Sequence, residues 1–193
     1  TINMTTQASA VTFNATDAVD LDMIVATATD GFGTLNFIDT ADNAAIANTL
    51  SGGDIGATTK RIGTINVGSA TKAGKLTTLD GDAIFASAIN ITGGDAAAED
   101  SILGLHESIG DANSLTAIVL TDLAGDAELN ILTASSIFGT IAGTAGTAGN
   151  GGSIIDVDTD LTVTGSIGSN NVVEKIEVGA TATLKGAVNT ITS

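Results

Sequence analysis

A short phrase, an aliphatic residue followed by Asn and a second apolar residue, recurs five times along the chain. In an extended strand, alternation places the two apolar side chains on one face and Asn on the other. Strands of the same kind that stack on one another could align their Asn side chains as a ladder. The phrase therefore predicts layered β-structure; its copies are Ile2-Asn3-Met4, Leu35-Asn36-Phe37, Ile65-Asn66-Val67, Ile89-Asn90-Ile91 and Leu129-Asn130-Ile131.

The fold class predicted from this pattern is all-β, with two architectures open. The repeated phrase favours a β-solenoid, in which each turn of the chain adds one strand to a stack. The intervals between successive Asn residues of the phrase are uneven, at 33, 30, 24 and 40 residues. That irregularity favours a β-sandwich of jelly-roll type instead, because a strict solenoid would repeat more evenly.

Composition indicates a core of small aliphatic side chains. The chain has 193 residues without Trp, Tyr or Pro, and with five Phe and 24 Gly. This length suits one domain, and we predict a single all-β domain over residues 1–193. Two short helices are expected, at 40–50 and 96–110, and the Gly/Thr/Ala tract 143–152 is expected to be a flexible loop.

The charge is strongly acidic, with 22 Asp and Glu against six Lys and Arg, a net charge of −16. Such a surface repels nucleic acids and anionic membranes. No apolar run approaches the roughly 18 residues that a membrane-spanning helix needs, so membrane insertion is not expected. Cysteine is absent, which removes disulfides and thiolate chemistry. The chain starts at Thr1 without an initiator Met, which hints at processing.

Hard oxygen ligands make Ca²⁺ the divalent ion that this chain would best hold. The strongest candidate ligands are Asp156, Asp158 and Asp160, which alternate in a predicted strand. In a strand their side chains would share one face, about 7 Å apart at successive positions. The segment is not an EF-hand loop, because Leu161 stands where that loop needs Gly and Ile167 where it needs Glu.

Nothing in the sequence predicts an enzyme. His106 is the single histidine, and no serine lies in a Gly-x-Ser-x-Gly elbow. The aromatic platforms that glycosidases use to hold sugar rings are missing along with Trp and Tyr. We therefore expect no catalytic residues and no organic cofactor.

Two C-terminal stretches carry a resemblance to a class of proteins. Asp160-Leu-Thr-Val-Thr-Gly-Ser-Ile-Gly and Val173-Glu-Lys-Ile-Glu-Val-Gly-Ala-Thr-Ala-Thr-Leu-Lys-Gly resemble passenger regions of bacterial surface antigens, closest to the rickettsial surface-cell-antigen autotransporters. The Ala/Thr/Gly/Asn-rich style is also similar to Gram-negative S-layer proteins. The resemblance covers about the C-terminal two-fifths and residues 62–94, and it implies β-helical structure at the cell surface.

The function predicted from these observations is that of an extracellular or cell-surface structural subunit. It would self-assemble into a filament or surface layer, a homo-oligomer or homopolymer, by adding strands to the exposed edges of its neighbours. The N-terminal stretch Thr1 to Val11 is the candidate donated strand. The alternative is a calcium-dependent adhesin or surface-binding module that contacts a cell surface or matrix and resembles an autotransporter passenger.

Overall fold

The structure is a computed structural model, and it describes residues 2–15, 19–21, 25–39, 48–50, 53–78, 83–144, 152–168 and 172–188. Within these ranges the regular structure consists of β-strands and includes no helix. The strands are β1 (Ile2–Met4), β2 (Ala10–Ala15), β3 (Val19–Leu21), β4 (Val25–Thr27), β5 (Phe32–Asp39), β6 (Asn48–Leu50), β7 (Ile62–Val67), β8 (Lys75–Thr78), β9 (Ala86–Thr92), β10 (Ser101–Leu105), β11 (Thr116–Thr121), β12 (Ala127–Ile131), β13 (Ser135–Ile137), β14 (Gly139–Thr144), β15 (Ser153–Val157), β16 (Leu161–Ile167), β17 (Lys175–Val178) and β18 (Leu184–Val188).

Most strands that follow one another in the chain belong to different sheets, and strands pair in parallel with the equivalent strand one turn later. One sheet has the order β17-β15-β12-β10-β8-β6-β3. The other has the order β13-β16-β14-β11-β9-β7-β5-β2, with β18 pairing β16. Parallel stacking of successive turns defines a β-solenoid, which confirms the first predicted architecture. The sandwich alternative is wrong, because a jelly roll is built from antiparallel strands.

Three faces run along the solenoid. The first, here called the Asn face, consists of β2, β5, β7, β9, β11 and β14, continued by the ends of β16 and β18. The second, here called the charged face, is the sheet from β3 to β17. A narrower third face is marked by parallel bridges that connect Ile55, Ile84, Ile109 and Ile137 in succession.

The core consists of columns of aliphatic side chains that stack along the solenoid axis. One column on the Asn face passes through every turn, and all of its members are Val, Leu or Ile. Stacking like side chains at the strand spacing of about 4.8 Å removes them from water without any aromatic residue. The members in order are Val11, Leu35, Ile65, Ile89, Ile118, Ile141, Ile167 and Val188.

The turns differ in length while their strands stay in register. Hydrogen-bonded side chains at equivalent positions are separated by 24 residues from Thr12 to Asn36, by 30 from Asn36 to Asn66, and by 24 from Asn66 to Asn90. The additional residues lie in the corners between strands, where no column has to be filled. Uneven spacing in the sequence is therefore compatible with a solenoid, and the argument from it for a sandwich was wrong.

The predicted helix at 96–110 is also wrong. Ser101–Leu105 is strand β10, which pairs with β8 on one side and β12 on the other. Leu103 and Leu105 both point into the core, which is the two-residue period of a strand. Two neighbouring strands offer this segment a complete set of backbone partners, and Gly104 weakens the helical alternative.

The two remaining predictions of local structure fall largely on undescribed residues. Of the expected helix at 40–50, residues 40–47 lie outside the described residues, and Asn48–Leu50 forms strand β6. Of the expected loop at 143–152, residues 145–151 lie outside them. Gly143 and Thr144 complete strand β14, and Gly143 is buried.

Candidate assembly surfaces

The Asn ladder predicted from the repeated phrase is present on the outer side of the Asn face. The side-chain amide of Asn90 donates to Asn66 Oδ1 at 2.9 Å, and that of Asn66 donates to Asn36 Oδ1 at 2.7 Å. Asn36 in turn donates to Thr12 Oγ1 at 3.2 Å, which brings the ladder to strand β2. Asn3 and Asn130 belong to other sheets, so three of the five copies of the phrase stack together.

Many acidic residues have a structural role that the sequence did not reveal. At five corners an Asp carboxylate accepts the backbone N–H of the equivalent position in the next turn, at 2.6–3.0 Å. This satisfies an N–H where the strands are interrupted, and a charged acceptor makes such a bond stronger than a neutral one. The pairs are Asp30 with Arg61, Asp54 with Ala83, Asp100 with Asp126, Asp126 with Gly152, and Asp160 with Thr183.

The three predicted calcium ligands do not lie on one strand face. Asp156 is on β15, which ends at Val157, and Asp158 and Asp160 follow in the corner before β16. Burial, followed by the charges of Asp158 and Glu177, raises the pKa of Asp156, while Lys175 opposes the rise. Asp160 is one of the corner acceptors, with Thr183 N at 2.8 Å. The expected row of three carboxylates is therefore wrong, because the chain turns a corner after Val157.

Acidic groups approach one another most closely on the C-terminal half of the charged face. Burial raises the pKa of Glu128, and the nearby charges of Asp156 and Asp126 raise it further. Burial, then the charges of Glu174 and Asp126, raises the pKa of Asp122 to about 6. Among the described residues, no group of three or more Asp, Glu or His side chains has an arrangement that could hold a metal ion.

In the last described layer of the solenoid, two core columns end in exposed side chains. Val178 is the last member of the column Leu105, Ile131, Val157 and Val178 on the charged face. It is 46% exposed, and Val188, the last member of the Asn-face column, is 40% exposed, whereas the preceding members of both columns are buried, apart from the half-buried Val11 in the first layer. These two side chains are exposed because no described strand follows them in the stack.

The N-terminal end is formed by β1, β2 and β3. In the candidate donated segment, β1 pairs with β4 of the same chain, and Met4 is buried where Gly33 leaves room for it. Phe13 of β2 stacks on Phe37 with ring centroids 5.0 Å apart, and it is only half-buried. The segment is therefore placed as the first layer of its own solenoid, and the outer edge of β2 has no described partner strand.

The two ends also differ from the rest of the chain in charge. Residues 2–15 contain no ionisable side chain. The C-terminal layer, residues 172–188, contains two acids and two lysines, so it is neutral overall. Lys175 and Glu177 in this layer form an ion pair at 2.6 Å. In a chain of net charge −16, these two segments carry no net charge, although β3 of the first layer carries Asp20.

His106, the single histidine, lies in the corner after β10. Its backbone N–H donates to Thr78 Oγ1 at 3.0 Å, and its Nδ1 lies 2.9 Å from Thr133 Oγ1. In the part of the chain that the structure describes, no helix is long and apolar enough to cross a membrane.

Comparison with known proteins returned no match to a family model, to a curated protein or to a solved structure. The resemblance to surface antigens and S-layer proteins therefore stays a prediction.

Proposed function

We propose that this protein is a structural subunit of the cell exterior that assembles end to end, by adding the terminal strands of one copy to those of the next. The observation that carries this proposal is the exposure of Val178 and Val188, the last members of two otherwise buried core columns. An uncovered core and an unpaired sheet edge both favour contact with another strand layer.

The register of the solenoid specifies how two copies would meet. The column that begins at Val11 ends at Val188, so continuing it across a junction places Val188 of one copy beside Val11 of the next. All named strands run parallel, so a head-to-tail junction would extend each sheet without reversing its direction. A head-to-tail contact produces an open filament when the rotation between successive copies does not close a ring, and stacking along the solenoid axis is such an arrangement.

Electrostatics support the ends as the contact. Like charges that face one another across an interface oppose association, and most of this chain's surface is acidic. On the Asn face, the uncharged residues 2–15 would meet the neutral layer 172–188 without that cost. On the charged face the same register places Glu177 of one copy beside Asp20 of the next, so one pair of like charges would have to be screened or displaced there.

A calcium-dependent adhesin remains the alternative proposal. It is supported by the crowded acids of the charged face and of the corner before β12, where burial and then neighbouring carboxylates raise the pKa values of Asp122, Glu128 and Asp156. A divalent cation would relieve that repulsion. Under this alternative, Ca²⁺ would be required for stability or for surface contact, whereas the end-to-end junction needs no ion.

The junction can be tested with cysteines, because the chain has none of its own. Neighbouring parallel strands place paired Cα atoms about 4.8 Å apart, which is within the range of a disulfide. We expect the double variant Val11→Cys/Val188→Cys to form, on mild oxidation, a ladder of covalent multimers on a non-reducing gel. Electron microscopy of the same sample should show filaments.

The matched control replaces one partner by an exposed apolar residue away from the ends. Leu115 precedes β11 in the middle of the solenoid and is 56% exposed. Val11→Cys/Leu115→Cys should give only the background of random cross-links. If the two double variants form multimers to the same extent, the end-to-end junction is refuted.

A further inference from the structure

The outer surface of the Asn face has a composition unlike the rest of this acidic chain. The six strands β2, β5, β7, β9, β11 and β14 contain one charged residue, Asp39, and it is 4% exposed. The outward positions carry Thr, Asn, Ala, Ile and Val instead. On the opposite sheet, β8, β12, β15 and β17 display Lys75, Glu128, Asp156, Lys175 and Glu177.

Some of the polar groups of this surface are engaged within it. The Asn36, Asn66 and Asn90 amides bond to one another along the ladder, and Thr144 Oγ1 donates to Leu120 O at 3.3 Å. Covering such a surface therefore costs less desolvation than covering a charged face, since the ladder amides already bond to one another. Small side chains on parallel strands also give a level surface that can pack against another sheet about 10 Å away.

We propose that the Asn face is a second self-association surface, through which the face of one copy packs against the same face of another copy. This inference rests on the proposed structural role and adds lateral growth to end-to-end growth. Among partners, a second copy fits because an uncharged face is where two molecules of net charge −16 can approach without strong repulsion.

The size of the face is sufficient for this contact. Six strands spaced about 4.8 Å apart, each about 20 Å long, cover roughly 600 Å². Two copies would bury roughly 1,200 Å² in total, which is the lower limit of a specific interface. We therefore expect lateral association to be weaker than end-to-end growth and to become important once ends are joined and many faces act together.

The test introduces charge at two outward positions on the last two strands of the face. Ala117 and Thr140 are exposed and lie beside each other on β11 and β14. In the full chain, Ala117→Glu/Thr140→Glu should reduce bundles or sheets to filaments one molecule wide by electron microscopy, with filament length unchanged. Thr77→Glu, on β8 of the charged face, is the control and should leave the width as in the wild type.

Mixing variants separates repulsion from misfolding. Ala117→Lys/Thr140→Lys should also form single filaments, and an equal mixture of the Lys and Glu variants should restore lateral association. The proposal would be overturned if the Glu variant formed bundles as wide as those of the wild type, or if the mixture of Lys and Glu variants formed only filaments one molecule wide.

Blocking the ends distinguishes failure of the end-to-end junction from failure of lateral association. Val178→Lys/Val188→Lys should be unable to form filaments, yet sedimentation equilibrium should still show a dimer that the Glu substitutions dissociate. Lateral self-association alone would be refuted if the end-blocked chain stayed monomeric at millimolar concentration. It would also be refuted if the wild-type protein stayed monomeric and bound ice or an insoluble polysaccharide through the Asn face.

Discussion

At the residue scale, the abundance of Asp has a structural explanation. Five Asp side chains connect one turn of the solenoid to the backbone of the next, at Asp30, Asp54, Asp100, Asp126 and Asp160. In a strand ladder the backbone N–H groups bond to the C=O groups of neighbouring strands, but a corner interrupts the ladder and leaves an N–H without a backbone acceptor. The acidic composition, which suggested calcium binding from the sequence, is thus explained in part by Asp carboxylates that accept backbone N–H groups at the corners.

Asp122 differs from these corner residues, and its replacement by Asn should stabilise the fold. The carboxylate is 3% exposed, and among the described residues its Oδ1 accepts no hydrogen bond. Because its folded pKa is raised to about 6, the folded state binds the extra proton between about pH 4 and 6, so stability is lost as the pH rises through that range. Asp122→Asn should increase the free energy of unfolding at pH 7 by roughly 2 kcal/mol and should change it little at pH 4, as measured by urea denaturation.

Asp95 provides the comparison, since it is an exposed acid in the corner before β10. Asp95→Asn should leave the free energy of unfolding nearly the same at both pH values. Equal effects of the two substitutions at pH 7 would mean that net charge, and not the burial of Asp122, limits stability.

At the element scale, the strands of the Asn face are coupled by their outer side chains as well as by their backbones. Asn66 stands in the middle of the ladder, bonded to Asn36 above and to Asn90 below. Side-chain amide ladders of this kind fix the register of neighbouring strands, because a slip of one residue would break every bond at once.

Asn66→Ala should therefore cost about 1–2 kcal/mol, the net value of two partly buried hydrogen bonds. The measurement is urea denaturation, with Asn3→Ala as the control, since Asn3 is exposed and outside the ladder. The double variant Asn66→Ala/Asn90→Ala should lose less than the sum of the two single losses, because both remove the same bond. Additive losses would contradict a coupled ladder.

The positions of the strands could be predicted largely from the sequence, whereas the way they stack into turns could be predicted only in part. Alternation at Leu35-Asn36-Phe37 and at Ile65-Asn66-Val67 predicted which side chains face inward, and these predictions are confirmed. The corners could not be read, because an Asp that accepts an N–H 26 residues later looks like any exposed Asp in the sequence. For the same reason the break after Val157 was missed, and Asp156, Asp158 and Asp160 were placed on one strand.

At the scale of the whole molecule, most of the described acidic residues lie on the charged face and in the corners, whereas residues 2–15 and the layer 172–188 carry no net charge. This distribution favours growth along the axis, and the Asn face adds an uncharged side along which joined copies could meet. Neither the family nor the cellular location is reached by the comparisons, so the extracellular structural role remains a proposal supported by shape and charge.

The calcium alternative makes a prediction at this scale. If Ca²⁺ bridges the acids of the charged face, chelation should lower the melting temperature by several degrees, and Asp156→Asn/Asp158→Asn should remove that response. Sodium chloride at matched ionic strength is the control, because monovalent salt screens charge without bridging carboxylates. A melting temperature that is indifferent to chelator would exclude a structural calcium.

The variable corners have a consequence for how such a chain can evolve. Since each turn requires only an aliphatic residue for every column and an acceptor at its corner, a segment of one turn is a nearly self-sufficient module. Tandem duplication of that segment in the gene would lengthen the rod by one strand spacing and leave its cross-section intact. The duplicated copies could then diverge in the length and sequence of their corners without disturbing the interior.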